Sequence, residues 1–345
     1  MKNNDLAKIT SKLRSVGLAK KVFTSLEDIV SQARDSSLIY PDLAFAIQYV
    51  LEESVCEIVR FWTSNLGVPN VSLCGGVFAN VKLNQKVSEI EGLGKVAVFP
   101  NMGDGGLSLG GIWHQLSVEG RLGQKLFENM YLSEDYFIRN LGEVDLRGIE
   151  VSPLNSGEIS VTVAKALARG LVVGLHVGGV EFGPRALGNR SILFDANRVD
   201  LGEKLNKKLK RTEFMPFAPV VLESHFHDYF EWSKSSLDVF QFMTMTCNVL
   251  PESQARISAV THVDGTARPQ VVPRDSNSML KNILQRFLEL TGKPILVNTS
   301  LNMHEEPING KLNDSLNCLR MSAIDLLATE HGIYCLADSK DSNSE

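Results

Sequence analysis

VSLCGGVFANVKLNQKV (Val71–Val87) and KVAVFPNMGDGGLSLGGIWHQL (Lys95–Leu116) decide the fold class. In each, a short apolar run enters a glycine pair or triplet and is followed by residues at helical spacing. A strand that turns through glycines into a helix lets backbone amides approach an anion, as at phosphate-binding helix starts. Two such units in tandem predict an α/β architecture. Upstream, apolar residues recur at helical spacing from Ser25 to Leu66, which predicts one or two amphipathic helices.

Downstream, residues 120–153 turn charged and irregular, and the domain boundary is placed there, giving 1–130 and 131–345. The second part opens with a helix over SGEISVTVAKALARG, with Ser156 as its N-cap, and continues with the strand LVVGLHVGG. Further strands are expected at FAPVVL, DVFQFMTMTCNVL and PILVNTS, and SMLKNILQRFLELTG reads as a helix ended by Gly292. The tail DSKDSNSE is expected to be disordered.

At 345 residues the chain is long enough for about two domains. No apolar run approaches the roughly 20 residues that cross a bilayer, and the N-terminus lacks a signal-peptide core, so a cytoplasmic protein without a membrane partner is expected. The net charge of −5 argues against a general nucleic-acid binder. Five scattered cysteines without CxxC spacing predict reduced core thiols.

Four polar motifs crowd the second half. EFGPRALGNRSIL (Glu181–Leu193) sets Arg185 and Arg190 around glycines, and the KKLKR run contributes Lys210 and Arg211. HVDGTARPQ contains Arg268, and NTS contributes Asn298, Thr299 and Ser300. Arginine forks match phosphate or carboxylate, lysine supplies a point charge, and Ser, Thr and Asn supply neutral hydrogen bonds. Without a Walker loop, GxSxG or HExxH, such a site would work by positioning and electrostatics.

Together EFGPRALGNRSIL, LNKKLKRTEFMPFAPVVLE, HVDGTARPQ and NTSLNMHEEPI resemble the C-terminal half of the NodU/CmcH carbamoyltransferases. LCGGVFANVKLN and NMGDGGLSLGG resemble the close of that family's actin-like domain. The resemblance implies a partial actin-like (ASKHA) subdomain over 1–130 and a YrdC-like α/β domain over 131–345. The implied activity is carbamoyl-adenylate formation from carbamoyl phosphate and ATP with Mg²⁺, followed by transfer to a hydroxyl-bearing acceptor. Lys210, Arg268 and Ser300 would hold carbamoyl phosphate. Arg185, Arg190, Ser191, Arg211, Asn298 and Thr299 would line substrate or nucleotide, and Gly75, Gly76 and Asn80 would line the actin-like nucleotide cleft.

The resemblance departs in two places. Met215 stands where relatives carry an arginine before PFAP, with Arg211 as the substitute, and nothing before Val71 resembles the first actin-like subdomain with its HxxxH pair. No two of the seven histidines lie four apart, and His225 and His227 have strand-type spacing. Asp104 would then be one ligand of an incomplete metal site, completed for a metal such as iron by histidines of a second chain. Two other readings stay open: a tRNA-modifying enzyme making threonylcarbamoyl-adenylate, and a non-catalytic regulatory or structural subunit.

Overall fold

The computed structural model describes residues 40–121, 129–132, 144–209, 217–234, 236–276 and 278–337. Lys210, Arg211 and Met215 lie outside the described residues, as do residues 25–39 of the first helical region and the tail from Asp338. Two compact units divide the chain: residues up to Leu73 with Lys82–Ala97, and Cys74–Val81 with Val98 onward.

The first unit is built on α1 (Tyr40–Leu66), whose Ala46 and Val50, four apart, are buried on one face. The strands β1 (Val71–Leu73) and β2 (Val96–Val98) pair in a two-stranded sheet, with α2 (Val81–Ser88) between them in sequence. Leu83 and Val87 of α2 are buried completely.

The second unit contains α3 (Leu107–Val118), β3 (Ile149–Pro153), α4 (Ser156–Ala168), β4 (Val173–His176), β5 (Arg190–Asp195) and α5 (Val199–Lys208). Then follow β6 (Ala218–Leu222), β7 (Phe230–Glu231), β8 (Cys247–Val249), β9 (Thr266–Ala267), β10 (Gln270–Val272) and α6 (Met279–Thr291). The chain closes with β11 (Ile295–Ser300), α7 (Leu312–Arg320), β12 (Leu326–Thr329) and β13 (Gly332–Leu336).

Eight strands form one mixed sheet in the order β10-β6-β11-β5-β4-β12-β13-β3. The pairs β10–β6 and β4–β12 are parallel and the other five antiparallel. A separate three-stranded sheet holds β7, β8 and β9. The mixed α/β class read from the sequence is therefore the fold observed.

Alternation along the strands sorts the two faces of the large sheet. Leu175, Leu193, Val220 and Leu296 meet Ile159, Val163 and Leu167 of α4 and Ile283, Leu284 and Phe287 of α6 in one core. Fully burying a side chain such as Phe287 stabilises by about 1.5–3 kcal/mol relative to exposure. On the opposite face, Gly202 of α5 lies against Phe194 and Phe217, and α7 packs by β4, β12 and β13.

Several local expectations are corrected. The N-cap of α4 is Asn155, whose side chain accepts from Glu158 N–H while the Glu158 carboxylate accepts from Asn155 N–H. This reciprocal capping box outcompetes Ser156, which lies one residue inside the helix. In DVFQFMTMTCNVL only Cys247–Val249 is strand; its start forms a 3₁₀ turn at Asp238–Phe240. His225 and His227 also lie on a 3₁₀ turn, Glu223–Asp228, where His225 Nδ1 meets Asp228 Oδ2 at 2.8 Å. No disulfide joins the described cysteines; Cys56, Cys247 and Cys318 are buried, but Cys74 is exposed rather than in a core. Gly292 ends α6 in the left-handed conformation, as its position predicts. Among the described residues no helix is long and apolar enough to cross a membrane.

Candidate functional site

The loop between β4 and β5 is organised around one carboxylate. Glu181 is buried, and its Oε1 accepts the backbone N–H groups of Leu187, Asn189 and Arg190 at 2.8, 2.9 and 3.1 Å. Three amides converging on one oxygen fold the intervening residues into a tight ring. Gly188 has φ 118°, and a Cβ there would lie 2.6 Å from the Leu280 side chain, so only glycine fits. Ser191 Oγ accepts from Gly188 N–H at 3.0 Å, and Asn189 Nδ2 donates to Gly179 O at 2.8 Å.

Arg190 clamps the loop from the opposite face of the sheet. It is 2% exposed, and its guanidinium donates to the carbonyls of Val177, Gly178, Asn189 and Asn309. Asn309 Nδ2 in turn donates to Ser315 Oγ, which also meets His176 Nδ1 at 2.8 Å. Burial first, and the charge of Arg190 second, push His176 down to about 3. The imidazole is thus neutral, as a side chain beside a buried cation must be.

Beyond the ends of α4 and α6, the helix-bearing face of the sheet carries polar side chains. The Asn298–Leu193 and Ser300–Ser191 register pairs put Ser191, Asn298 and Ser300 on that face, and Gln270 joins them from β10. Gln270 Nε2 donates to Leu187 O at 2.7 Å, so its Oε1 is the end that accepts from Asn298 Nδ2 at 2.6 Å. Asn298 Nδ2 also donates to Ala186 O at 3.2 Å, which leaves its Oδ1 buried and without a hydrogen bond. Tyr131 OH gives Leu187 O a second donor at 3.2 Å.

The residues next to these anchors are Arg185, preceding Ala186, and Arg268, two before Gln270. Both are half-buried. Desolvation pulls the Arg185 guanidinium down, and Arg268 is pushed down to about 9, by desolvation first and repulsion from Arg185 second. Among the described residues no carboxylate offsets either charge, and Arg185 Nε is buried without a hydrogen bond. Two desolvated like charges that repel one another are costly unless an anion joins them.

The expected site residues are therefore sorted by their bonds. Arg185, Arg268, Asn298 and Ser300 come from loop and strand positions around the same end of the sheet. Arg190 does not join them, because its guanidinium is committed to backbone carbonyls on the other face. Ser191 is committed to Gly188, and alternation places Thr299 opposite Asn298 and Ser300. Lys210 and Arg211 lie outside the described residues.

The glycine turns form a second patch, which adjoins the Glu181–Arg190 loop: a Cβ on Gly183 would lie 3.4 Å from Pro100 O and 3.6 Å from Asn101 Cβ. Gly75 N–H donates to Met102 O at 2.8 Å, tying the turn of Gly75 and Gly76 to the one that leads to Asp104, and Asn80 closes the 3₁₀ turn Gly76–Ala79. Asp104 is exposed on the 3₁₀ turn Asp104–Gly106. Among the described residues no three His, Cys, Asp or Glu side chains cluster in a way that could hold a metal. These residues do not fit a metal site by themselves. Gln270 and Tyr131 are not among the candidate residues of the sequence motifs, and Glu181, the one acid of the glycine-rich motif, is legible there only as one of its polar residues.

Residues 7–112 match the family model described as carbamoyltransferase N-terminus, and residues 164–335 the one described as carbamoyltransferase C-terminus. The first match begins well upstream of Val71, so the family likeness extends beyond the glycine-turn motifs. Nodulation protein NolNO of Sinorhizobium fredii is 34% identical over 294 residues, covering 83% of this chain and 42% of that protein. Nodulation protein NolO of Bradyrhizobium diazoefficiens is 32% identical over 292 residues, covering 82% and 52%. An uncharacterized protein of Methanocaldococcus jannaschii is 34% identical over 291 residues, covering 81% and 53%. The chain thus spans about half the length of these relatives. A structure of full-length HypF in its phosphate- and nucleotide-bound form aligns with 52% of this chain and 22% of its own, at 19% identity and a TM-score of 0.36. With both halves of the family represented across most of its length, the chain belongs to the carbamoyltransferase family.

Proposed function

We propose that this chain binds carbamoyl phosphate and ATP beside Arg185 and Arg268 and forms carbamoyl-adenylate in a YrdC-like domain over 131–345. The observation that carries this reading is the pair of desolvated guanidinium groups with no offsetting carboxylate among the described residues. An anion with several oxygens would bridge them and relieve their mutual repulsion.

In the proposed reaction, water takes the phosphate from carbamoyl phosphate and leaves carbamate. A carbamate oxygen then bonds to the α-phosphorus of ATP, the bond to the β-phosphate oxygen breaks, and pyrophosphate leaves with Mg²⁺. Negative charge gathers on the α-phosphoryl oxygens, and cations fixed before the reaction would stabilise it more than water could. Arg185 and Arg268 take that role, with Lys210 as a third cation and Ser300 as a neutral donor. Arg190 is a positioning residue for the loop, as its four carbonyl contacts support.

Transfer of the carbamoyl group to an acceptor hydroxyl is assigned to the actin-like patch around Gly75, Gly76, Asn80 and Asp104, completed by residues from another segment or chain. Two features support this. Asp104 is exposed and belongs to no group of three possible metal ligands among the described residues, and α3 buries none of its residues, leaving Leu107, Ile112 and Val118 exposed. Calorimetric titration of carbamoyl phosphate tests the binding half. Binding to the wild type that is lost in Arg268→Ala, with the fold intact, supports it; equal binding to both refutes it.

A further inference from the structure

A cavity of about 870 Å³ is bordered by Leu187 of the Glu181–Arg190 loop, and its lining is chemically unlike the arginine pair. Met130, Leu187, Phe242, Pro273 and Leu280 give it apolar surface. Around them stand neutral hydrogen-bonding groups, including Asn129, Tyr131, Gln241, Gln270, Ser276 and Ser278, and two rim carboxylates, Asp238 and Asp275. A neighbouring hollow of about 440 Å³ shares both carboxylates and adds Glu223. Among the described residues no lysine or arginine lines either hollow.

This volume is far above a packing defect and within the roughly 300–1,000 Å³ of small-ligand sites. Gln270 is bonded at both ends, Ser278 Oγ accepts from Ser276 Oγ and Lys281 N–H, and Gln241 Nε2 donates to Asp238, so the Asn129 amide N–H groups, the Gln241 carbonyl and the lone pairs of the Tyr131 hydroxyl are the groups that match a ligand with several hydroxyls. Phe242 and Leu280 match its C–H surface. Asp238 and Asp275 repel anions and attract a protonated amine.

We propose that this cavity is a second binding site, for an uncharged or cationic polyhydroxyl ligand, and that its occupant is coupled to the arginine pair. The coupling follows from shared side chains. Tyr131 and Gln270 line the cavity and both donate to Leu187 O, while Gln270 also fixes Asn298, which holds Ala186 O beside Arg185. A ligand that packs on this wall restrains the loop that positions Arg185, so a bound polyol tightens anion binding, and the effect is reciprocal. This second half rests on the reading of the arginine pair as an anion site.

Three ring-matched probes test the proposal by calorimetry: galactosamine, galactose and galacturonate. Affinity falls in that order, each step up to about fivefold, the scale of exposed charge pairs. The double variant Asp238→Asn with Asp275→Asn, both exposed at the rim, removes the steps between probes. A different order, no binding of galactosamine at millimolar concentration, or unchanged steps in the double variant overturns the site. Inorganic phosphate is then titrated with and without saturating galactosamine, and its affinity rises at least threefold. Phosphate binding that ignores galactosamine overturns the coupling. The probe order with no phosphate binding at all overturns the arginine reading and leaves the cavity assignment standing.

Discussion

Arg185 and Arg268 repel one another in a shared desolvated environment, and the repulsion contributes to pushing Arg268 down to about 9. Such a pair opposes folding of the empty protein and favours any anion that bridges it. Replacing Arg268 by alanine therefore lowers carbamoyl-phosphate-dependent pyrophosphate release by about 100-fold, the scale of losing one preorganised charge-stabilising donor. The same variant is at least as stable as the wild type in urea, because one of two mutually repelling charges is gone. Release near the wild-type rate removes Arg268 from the chemistry.

Glu181 supports the loop rather than the substrate. Glu181→Ala leaves three backbone N–H groups without their acceptor. At about 1–3 kcal/mol for each buried unsatisfied group, and with partial relaxation, the loss is about 3 kcal/mol or more. Urea unfolding measures it, and a change below about 1 kcal/mol contradicts the role.

Arg190 separates two readings of one motif. A lysine retains the charge but cannot spread over the carbonyls of Val177, Gly178, Asn189 and Asn309. Arg190→Lys accordingly loses about 3 kcal/mol of stability, on the scale of breaking a buried charged network. A variant of normal stability that has lost only substrate affinity returns Arg190 to the binding site.

His176 sets an acid limit on stability. Its folded pKa, about 3, lies below the ordinary 6.5, so the unfolded chain takes up the proton first as pH falls. Its stabilising contribution is present above about pH 6.5 and is lost as pH falls toward 3. His176→Gln, which keeps a polar group near Ser315, flattens the pH dependence of urea stability between pH 6.5 and 4. An unchanged slope contradicts this assignment.

The α/β class was legible because strands, glycine turns and helices alternate locally, and local patterns carry that information. Asn155 illustrates the limit of such reading, since Asn155 and Ser156 are both good caps and the choice rests on Glu158 reaching back. The sites divide in the same way. Arg185 and Arg268 stand in motifs and were visible, whereas the different task of Arg190 depends on strand parity and on carbonyls up to 119 residues away. Gln270 was hidden because its function is to orient Asn298, a contact between strands β10 and β11 that are not even neighbours in the sheet.

The most direct test of the central claim is pyrophosphate release by the purified chain with ATP and Mg²⁺, with carbamoyl phosphate present or omitted, and with threonine plus bicarbonate as the comparison. The account predicts release that requires carbamoyl phosphate and is lost in Arg268→Ala. No release with carbamoyl phosphate, or release only with threonine and bicarbonate, contradicts it.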